Sequence, residues 1–573
     1  MRMIIWTPNQ AGVFEHLRSG AGDAVVQAYA GTGKTVTLVE GLRYVNPRDY
    51  VLLCAFNARI AAELKLRVPE NKRHKITTTY ANGHGRVVRQ FGKLKVESGD
   101  VGRQHVRAVL AAYGLSSGKS ARSKDDLAED IAGIAAIVKY CKLRLLVSPD
   151  AVREAITESE YVPVLDTFTD DELVARVVLE AMERAATVVT GAIDFDDQVW
   201  IPWRLQLPGF ENDLVVVDEG QDLSPAQQWL AVSSIRPGGR IVVAGDEHQY
   251  LYGFSGADLG LMNRSGATIL SLPESFRCPK KVVEEAQKYV PEIQAWGGAR
   301  EGTVTKTSAL FEHARPGDVI LSRMNAPLGA IAAGLIERHI PAVIVGRGYD
   351  GQMGLFTLIR RFMGSSLGTR KSGAADVPSL VAWTRAHQNE VLALREEQPA
   401  RAHAIADQLR MLRGFAHGLQ TVDQVRQRIA VVFDERNAER SVRLSTVHRF
   451  KGLEADRIFW CKDTFTGRDN PDDANNIRYV AVTRSRDTLF LVSGAPWGED
   501  EDDEEERAAW NSLCPVGAEI IPPLPTSASL PPAPAPASPV LTSGIGIDFK
   551  VSFRDLAEDL RRHRGLLSTT TRT

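Results

Sequence analysis

The run Ala28-Tyr29-Ala30-Gly31-Thr32-Gly33-Lys34-Thr35, set directly after the apolar stretch Ala24-Val25-Val26, constrains the fold more than any other segment. It reads as a strand, a glycine-bearing loop and a helix start. That order turns backbone N–H groups toward an anion at the positive end of a helix. In the general pattern GxxxxGK[ST], lysine reaches the β- and γ-phosphates of a nucleotide and the hydroxyl binds Mg²⁺. Ala28 stands where the pattern has its first glycine, and Ala28, Tyr29, Ala30, Gly31, Thr32, Gly33, Lys34 and Thr35 form the expected cradle. A second element, Val215-Val216-Val217-Asp218-Glu219-Gly220-Gln221-Asp222, places Asp218 184 residues after Lys34. An apolar strand ending in Asp-Glu supplies a Mg²⁺-holding acid, here Asp218, and a neighbour able to activate water, here Glu219. A buried strand capped by an exposed acidic pair is the plainer reading of that element alone. The two motifs together point to binding and hydrolysis of a nucleoside triphosphate.

Around these motifs, short apolar runs alternate with amphipathic helical stretches, the pattern of parallel α/β domains. Strands are expected at Ala24–Gln27, Tyr50–Ala55, Leu214–Val217 and Arg240–Ala244, and again at Asp318–Ser322, Ala342–Val345, Val442–Ser445, Arg457–Trp460 and Leu489–Ser493. Two sheets imply two domains: residues 1–85 with 191–277, and residues 278–355 with 439–497. Each is interrupted by a mostly helical insertion, 86–190 in the first and 356–438 in the second, where Ala400–His417 and Thr421–Phe433 read as helices. Strand punctuation in the first insertion returns only at Ile193-Asp194-Phe195-Asp196-Asp197. The linker 498–540 opens on eight consecutive acids, Glu499–Glu506, and continues Pro-rich through Pro522–Pro539. Such composition favours a solvated, disordered chain. In the tail 541–573, Phe553–Leu567 could form one short helix.

The net charge of −2 conceals a split. Residues 498–573 hold 7 of the 69 basic and 13 of the 71 acidic residues, which leaves 62 and 58 in the body, a net +4. A mildly basic body fits nucleic-acid binding without demanding it. The five cysteines are scattered with no C-x-x-C pair, so neither a zinc site nor a disulfide framework is indicated. No signal-like segment or membrane-length apolar run occurs, and a reducing, cytoplasmic setting without a membrane partner is expected.

Further segments fall into order around the two nucleotide motifs. They are Thr7-Pro8-Asn9-Gln10, Ala55-Phe56-Asn57, Thr77–Gly83, Gly245–Ala257, Leu272–Arg277, Thr446–Glu454 and Tyr479–Arg486. The set resembles the UvrD/Rep-like branch of superfamily 1 DNA helicases across roughly residues 4–493. The resemblance implies two RecA-like P-loop domains, with ATP and Mg²⁺ as cofactors and single-stranded DNA and duplex junctions as partners. It further implies that Gln10 reads adenine, Phe276 stacks on it and Glu454 contacts the ribose. Thr35 and Asp218 would hold Mg²⁺, Glu219 would act as general base, Gln249 would sense the γ-phosphate, and Arg277 and Arg484 would be arginine fingers. Phe56, Asn57, Thr79, Tyr252, Phe254 and His448 would line the single-strand track, with core packing as the competing account of Phe56 and Tyr252. Resemblance also implies 3′→5′ movement.

Three departures matter. Ser255 stands where arginine is common, the segment Thr79–Gly83 lacks a frequent histidine, and the second insertion is shorter than in UvrD and Rep. ATPase and translocation therefore follow more directly than processive strand separation, and an ATP-controlled DNA clamp is the alternative. A helicase–nuclease is a further rival, but Asp548-Phe549-Lys550 is followed by only 23 residues and preceded by no acid set. The tail reads either as a tether for a protein partner or as a solubilising extension. Oligomeric state is left open.

Overall fold

A computed structural model describes residues 6–19, 22–55, 57–68, 71–97, 99–115, 124–158, 171–251, 256–346, 348–365, 376–393, 399–464 and 471–493. The acidic and Pro-rich linker, the tail helix and three residues of the expected DNA track (Phe56, Tyr252 and Phe254) lie outside them.

The first sheet comprises β1 (Ala24–Ala28), β2 (Val51–Ala55), β3 (His74–Thr78), β4 (Asn212–Val217), β5 (Ile235–Gly245) and β6 (Thr268–Leu272). Its order is β3-β2-β4-β5-β1-β6, with every pairing parallel. Val25, Val26, Val215, Val216, Val242 and Val243 are buried on both faces, as near-continuous apolar runs in a helix-covered parallel sheet require. Register places the site. Gln27 pairs with Gly245 and Val217 with Val243, so the phosphate loop, Asp218 and Asp246 emerge from three neighbouring strands at one carboxyl edge. That edge is where ligands of open α/β sheets bind.

The second sheet comprises β7 (Thr303–Thr307), β8 (Val319–Ser322), β9 (Ala342–Ile344), β10 (Val442–Thr446), β11 (Ala455–Cys461) and β12 (Ser485–Val492). Its order is β7-β12-β11-β8-β10-β9, again all parallel. The expected strands appear with ends within a residue or two, except that β5 and β12 start five and four residues earlier than Arg240 and Leu489. The edge strands β3, β6 and β7 are not among the expected ones because they are half-exposed and threonine-bearing, with no apolar run to mark them.

Each insertion is helical, with two differences from expectation. Position 86 falls inside the helix Thr79–Phe91, and position 356 inside the helix Gly348–Gly364. Arg86 explains the first. Its guanidinium is buried and donates to Leu207 O, Leu230 O, Ser233 Oγ and Ser234 Oγ, which ties that helix to the first sheet's own helices. Lys95–Glu97 also forms a short parallel pair with Ala192–Asp194, closing the first insertion at its base. Its core holds a buried ion cluster in which Lys142 Nζ lies 2.5 Å from Asp197 Oδ1 and 3.0 Å from Asp196 Oδ2.

The helices Pro399–Ala416 and Val422–Val432 match the expected spans closely, the second capped by Thr421. They share one core with β8, β9 and β10 instead of forming a separate body. Asp407 accepts hydrogen bonds from the Asn325 and Ala326 amides at 3.0 and 2.8 Å, holding the insertion to the start of the helix Ala326–Glu337. Among the described residues, no helix is long and apolar enough to cross a membrane.

Candidate active site

The phosphate loop takes its shape from two left-handed glycines, Gly31 at φ 74° and Gly33 at φ 77°. A Cβ on Gly31 would lie 2.5 Å from Arg277 Cβ, so only glycine lets that arginine close over the loop. Phe276 N–H donates to Gly31 O at 2.9 Å, fixing the Phe276-Arg277 segment against the loop. Lys34 opens the helix Lys34–Gly41 and is 9% exposed.

Three carboxylates surround the Lys34 ammonium, and its Nζ lies 3.1 Å from Glu219 Oε2. Burial disfavours the charge, but Glu219, Asp246 and Asp218 outweigh that and raise the lysine above its usual range. Burial acts in the same sense on both acids. Asp218, with Glu219 beside it, is pushed up to about 6. In Glu219 the Lys34 charge and a hydrogen bond from Gln221 overcome burial and hold the carboxyl below its ordinary value. The adjacent acids are thus split, one reluctant to ionise and one firmly ionised. Glu219 also sits at φ 55°, ψ 48°, a left-handed conformation that costs a non-glycine residue about 1–3 kcal/mol and is found at functional sites.

Thr35 Oγ1 donates to Asp218 Oδ2 at 2.6 Å. A hydroxyl and a buried carboxylate short of positive charge are hard oxygen donors of the kind Mg²⁺ takes. Among the described residues no group of three or more His, Cys, Asp or Glu side chains forms a metal cluster. A cation here would rest on Thr35, Asp218 and the substrate's own phosphates, which is the usual Mg²⁺ arrangement.

This donor set predicts a pH dependence. Below about pH 6 the Asp218 carboxyl carries a proton that the cation must displace. Apparent Mg²⁺ affinity should fall about tenfold per pH unit below that point, as Mg²⁺ titration of ATP hydrolysis would show. Asp218→Asn should weaken the affinity throughout and flatten this acid limb. The sign for stability is opposite. A carboxyl raised from 3.8 to about 6 keeps its proton in the fold where the unfolded chain has lost it. Stability from this group therefore falls as pH rises through that window.

The second sheet's residues complete the site. Arg484 is 1% exposed, and burial together with the nearby Arg277 charge lowers its pKa to about 10. Among the described residues its donors meet only neutral oxygens: Val480 O at 3.0 Å, Gln249 Oε1 at 3.2 Å, Thr483 Oγ1 at 3.3 Å and Leu453 O at 3.4 Å. A buried guanidinium without a carboxylate is costly unless an anion arrives. Arg277 Nε pairs with Glu454 Oε2 at 2.5 Å, and Arg486 Nη1 approaches the other Glu454 oxygen at 3.5 Å. These residues, with Gly31, Gly33, Phe276, Arg300 and Asp456, line a cleft of about 610 Å³ beside the loop. Phe276 is 42% exposed there and packs on Trp296. Lys451, beyond β10, forms a buried ion pair with Asp222, joining the second sheet to the turn after Glu219.

Several expected residues sit differently. The Gln10 amide is buried, donating to Thr37 Oγ1 at 3.0 Å and accepting from Thr7 N–H at 3.1 Å, beside Gly33. Thr79 is 2% exposed and its hydroxyl accepts from Gln227 Nε2 at 2.9 Å. It therefore supports a helix start and presents no group to a strand of nucleic acid. The exposed Asn57 caps the helix Ala58–Arg67, its Oδ1 accepting from Ile60 N–H at 2.9 Å. His448 is half-buried in the turn Val447–Phe450. Sequence reasoning gave no role to Gln221, Arg300, Lys451 or Tyr479. Gln221, Lys451 and Tyr479 lie inside the sequence motifs, which was the only signal available.

Two parallel sheets that share a phosphate loop, an acid pair and a buried arginine define the two-lobed RecA-like class. The chain matches the UvrD/REP helicase N-terminal domain over residues 6–268 and the UvrD-like helicase C-terminal domain over residues 441–492. It belongs to the UvrD/Rep-like helicases of superfamily 1. It is 25% identical over 514 residues to F-box DNA helicase protein 1 of Schizosaccharomyces pombe, an alignment covering 81% of this chain and 55% of that protein. To F-box DNA helicase 1 of Gallus gallus it is 24% identical over 529 residues, covering 85% and 49%. The chain spans about half the length of the curated relatives it matches.

Proposed function

We propose that the chain is a DNA-stimulated ATPase that moves 3′→5′ on single-stranded DNA and separates duplex ahead of it. The buried Arg484, hydrogen-bonded to no carboxylate among the described residues, carries this reading. It belongs to one sheet yet meets Gln249 of the other, beside Lys34, Asp218 and Glu219. An anion bound on the loop would satisfy both halves at once, so closing the cleft and neutralising the arginine become a single event. That is the differential affinity a ligand needs in order to shift a conformational equilibrium.

In this reading Lys34 meets the β- and γ-phosphates, and Arg277 and Arg484 bracket the charge developing on the transferred group. Mg²⁺, held by Thr35 and Asp218, would neutralise phosphate charge. Glu219, kept ionised by Lys34, accepts the proton of the attacking water, and Gln249 reads the γ-phosphate. Phe276 stacks on the base at the cleft mouth, Glu454 turns from Arg277 toward the ribose, and Gln10 keeps its reach to adenine beside Gly33. Phe56, Asn57, Tyr252, Phe254 and His448 are proposed to meet the DNA strand. The relatives' names, both DNA helicases, support DNA over RNA. A cytoplasmic setting and a tail-bound protein partner stay proposals from composition alone.

One observation favours a second outcome, translocation without processive unwinding: the second insertion is fused into the core of its own sheet. Tailed duplexes of DNA and RNA, with 3′ or 5′ overhangs, test both readings. ATP-dependent displacement on 3′-tailed DNA alone is the expected result. Brisk DNA-stimulated hydrolysis without displacement would favour the second reading, and no DNA stimulation would overturn both.

A further inference from the structure

We infer that Tyr479 is a positioning residue through which the second sheet's domain sets the phosphate loop and the catalytic acids in register. The inference rests on the ATPase reading above and adds to it a residue outside the phosphate, metal and nucleic-acid contacts proposed there. Tyr479 lies in the helix Pro471–Val482, in the second half of the chain, and is fully buried. Its hydroxyl accepts the Ala30 N–H of the phosphate loop at 2.8 Å and donates to Asp246 Oδ2 at 3.2 Å.

From Asp246 the connections run on into the site. The same Oδ2 accepts Gln249 Nε2 at 2.7 Å, and Gln249 Oε1 accepts from Arg484. The Asp246 N–H donates to Gln221 Oε1 at 3.1 Å, and Gln221 Nε2 donates to Glu219 Oε2 at 2.8 Å. One phenol thus joins the loop, the residue proposed to read the γ-phosphate and the proposed general base. Every link is a buried or half-buried hydrogen bond, the phenol–carboxylate one at the long end, so a shift of the phenol is felt at each of them. Burial, with Asp246 beside it, pushes the phenol well above its usual value, so it remains a donor throughout the working range. The ring packs in a core that includes Tyr29, Ala30 and Cys278, and phenylalanine there keeps the packing while removing both hydrogen bonds.

Tyr479→Phe is therefore expected to lower DNA-stimulated kcat about tenfold, the effect of a misplaced catalytic group, with KM for ATP within about twofold and melting lowered by only a few degrees, the cost of a buried amide left unpaired. In a Gln249→Ala background the same change should cost less than about twofold more, because both act through one network. A kcat equal to wild type overturns the inference. So does a rise in KM matching the loss in kcat, which would mean loop support only, or full multiplicative loss in the double variant. Lys34→Ala, run alongside, separates the two claims: if it retains turnover the ATPase reading fails, whatever Tyr479 does.

Discussion

Lys34→Ala will reduce DNA-stimulated ATP hydrolysis by about 10³-fold or more, the scale seen when one preorganised donor is taken from a site where charge develops. Two losses coincide. The phosphates lose their cation, and Glu219 loses the charge that keeps it ionised against burial. Without Lys34 the carboxyl groups of Asp218, Glu219 and Asp246 lose the cation that offsets their mutual repulsion, so the Glu219 pKa rises with the others. A protonated Glu219 cannot serve as base, so raising the pH should recover a small part of the activity in this variant and none in Glu219→Gln. Lys34→Arg keeps a positive charge and guards against misfolding. It should melt as wild type does and still lose turnover, because a planar guanidinium does not fit a site built for a compact ammonium. Binding of single-stranded DNA should persist in both variants. Wild-type turnover in either would remove the loop from the mechanism.

The parts of this site that were legible in the sequence are those whose chemistry is local. Gly31, Gly33, Lys34 and Thr35 sit side by side in the chain, and the apolar runs before Lys34 and Asp218 say where the strands end. Adjacent parallel strands then bring those ends together without further instruction. What joins the lobes was not legible. Ala30 and Tyr479 are 449 residues apart, and no periodicity reports a hydrogen bond across that distance. Gln221 and Lys451 are silent for the same reason: each looks like a polar residue in a loop until the partner strand is placed. Thr79 failed in the other direction. Its motif suggested exposure to a nucleic acid, whereas the helix Pro225–Val232 covers it and supplies Gln227 as partner. The half-exposed edge strands β3, β6 and β7 lacked an apolar run because the physics of an edge does not ask for one.

Arg484→Met is expected to lower kcat by about 10³-fold or more while leaving the nucleotide-free protein as stable as wild type. The first half follows from the position of the guanidinium and the size of arginine-finger effects in phosphoryl transfer. The second half is the more discriminating. Arg484 spends its hydrogen-bond donors on neutral oxygens, and burial pulls its pKa down to about 10, so in the empty protein the charge is a desolvation burden that the nearby Asp246 charge does not offset in full. An apolar side chain of similar length carries no such desolvation cost, which offsets the hydrogen bonds given up. Were the arginine a structural strut, thermal melting of Arg484→Met without nucleotide would drop by several degrees, and activity would fall only as far as folding did. If instead it is held in reserve for phosphate, the stabilities diverge only when ATP analogue is added, because wild type gains the charge pairing and the variant does not. Melting with and without a non-hydrolysable analogue and Mg²⁺ therefore decides between strut and finger, independently of any turnover assay. Equal ligand-induced shifts in the two proteins would rule out Arg484 as the residue that couples phosphate binding to closure of the cleft.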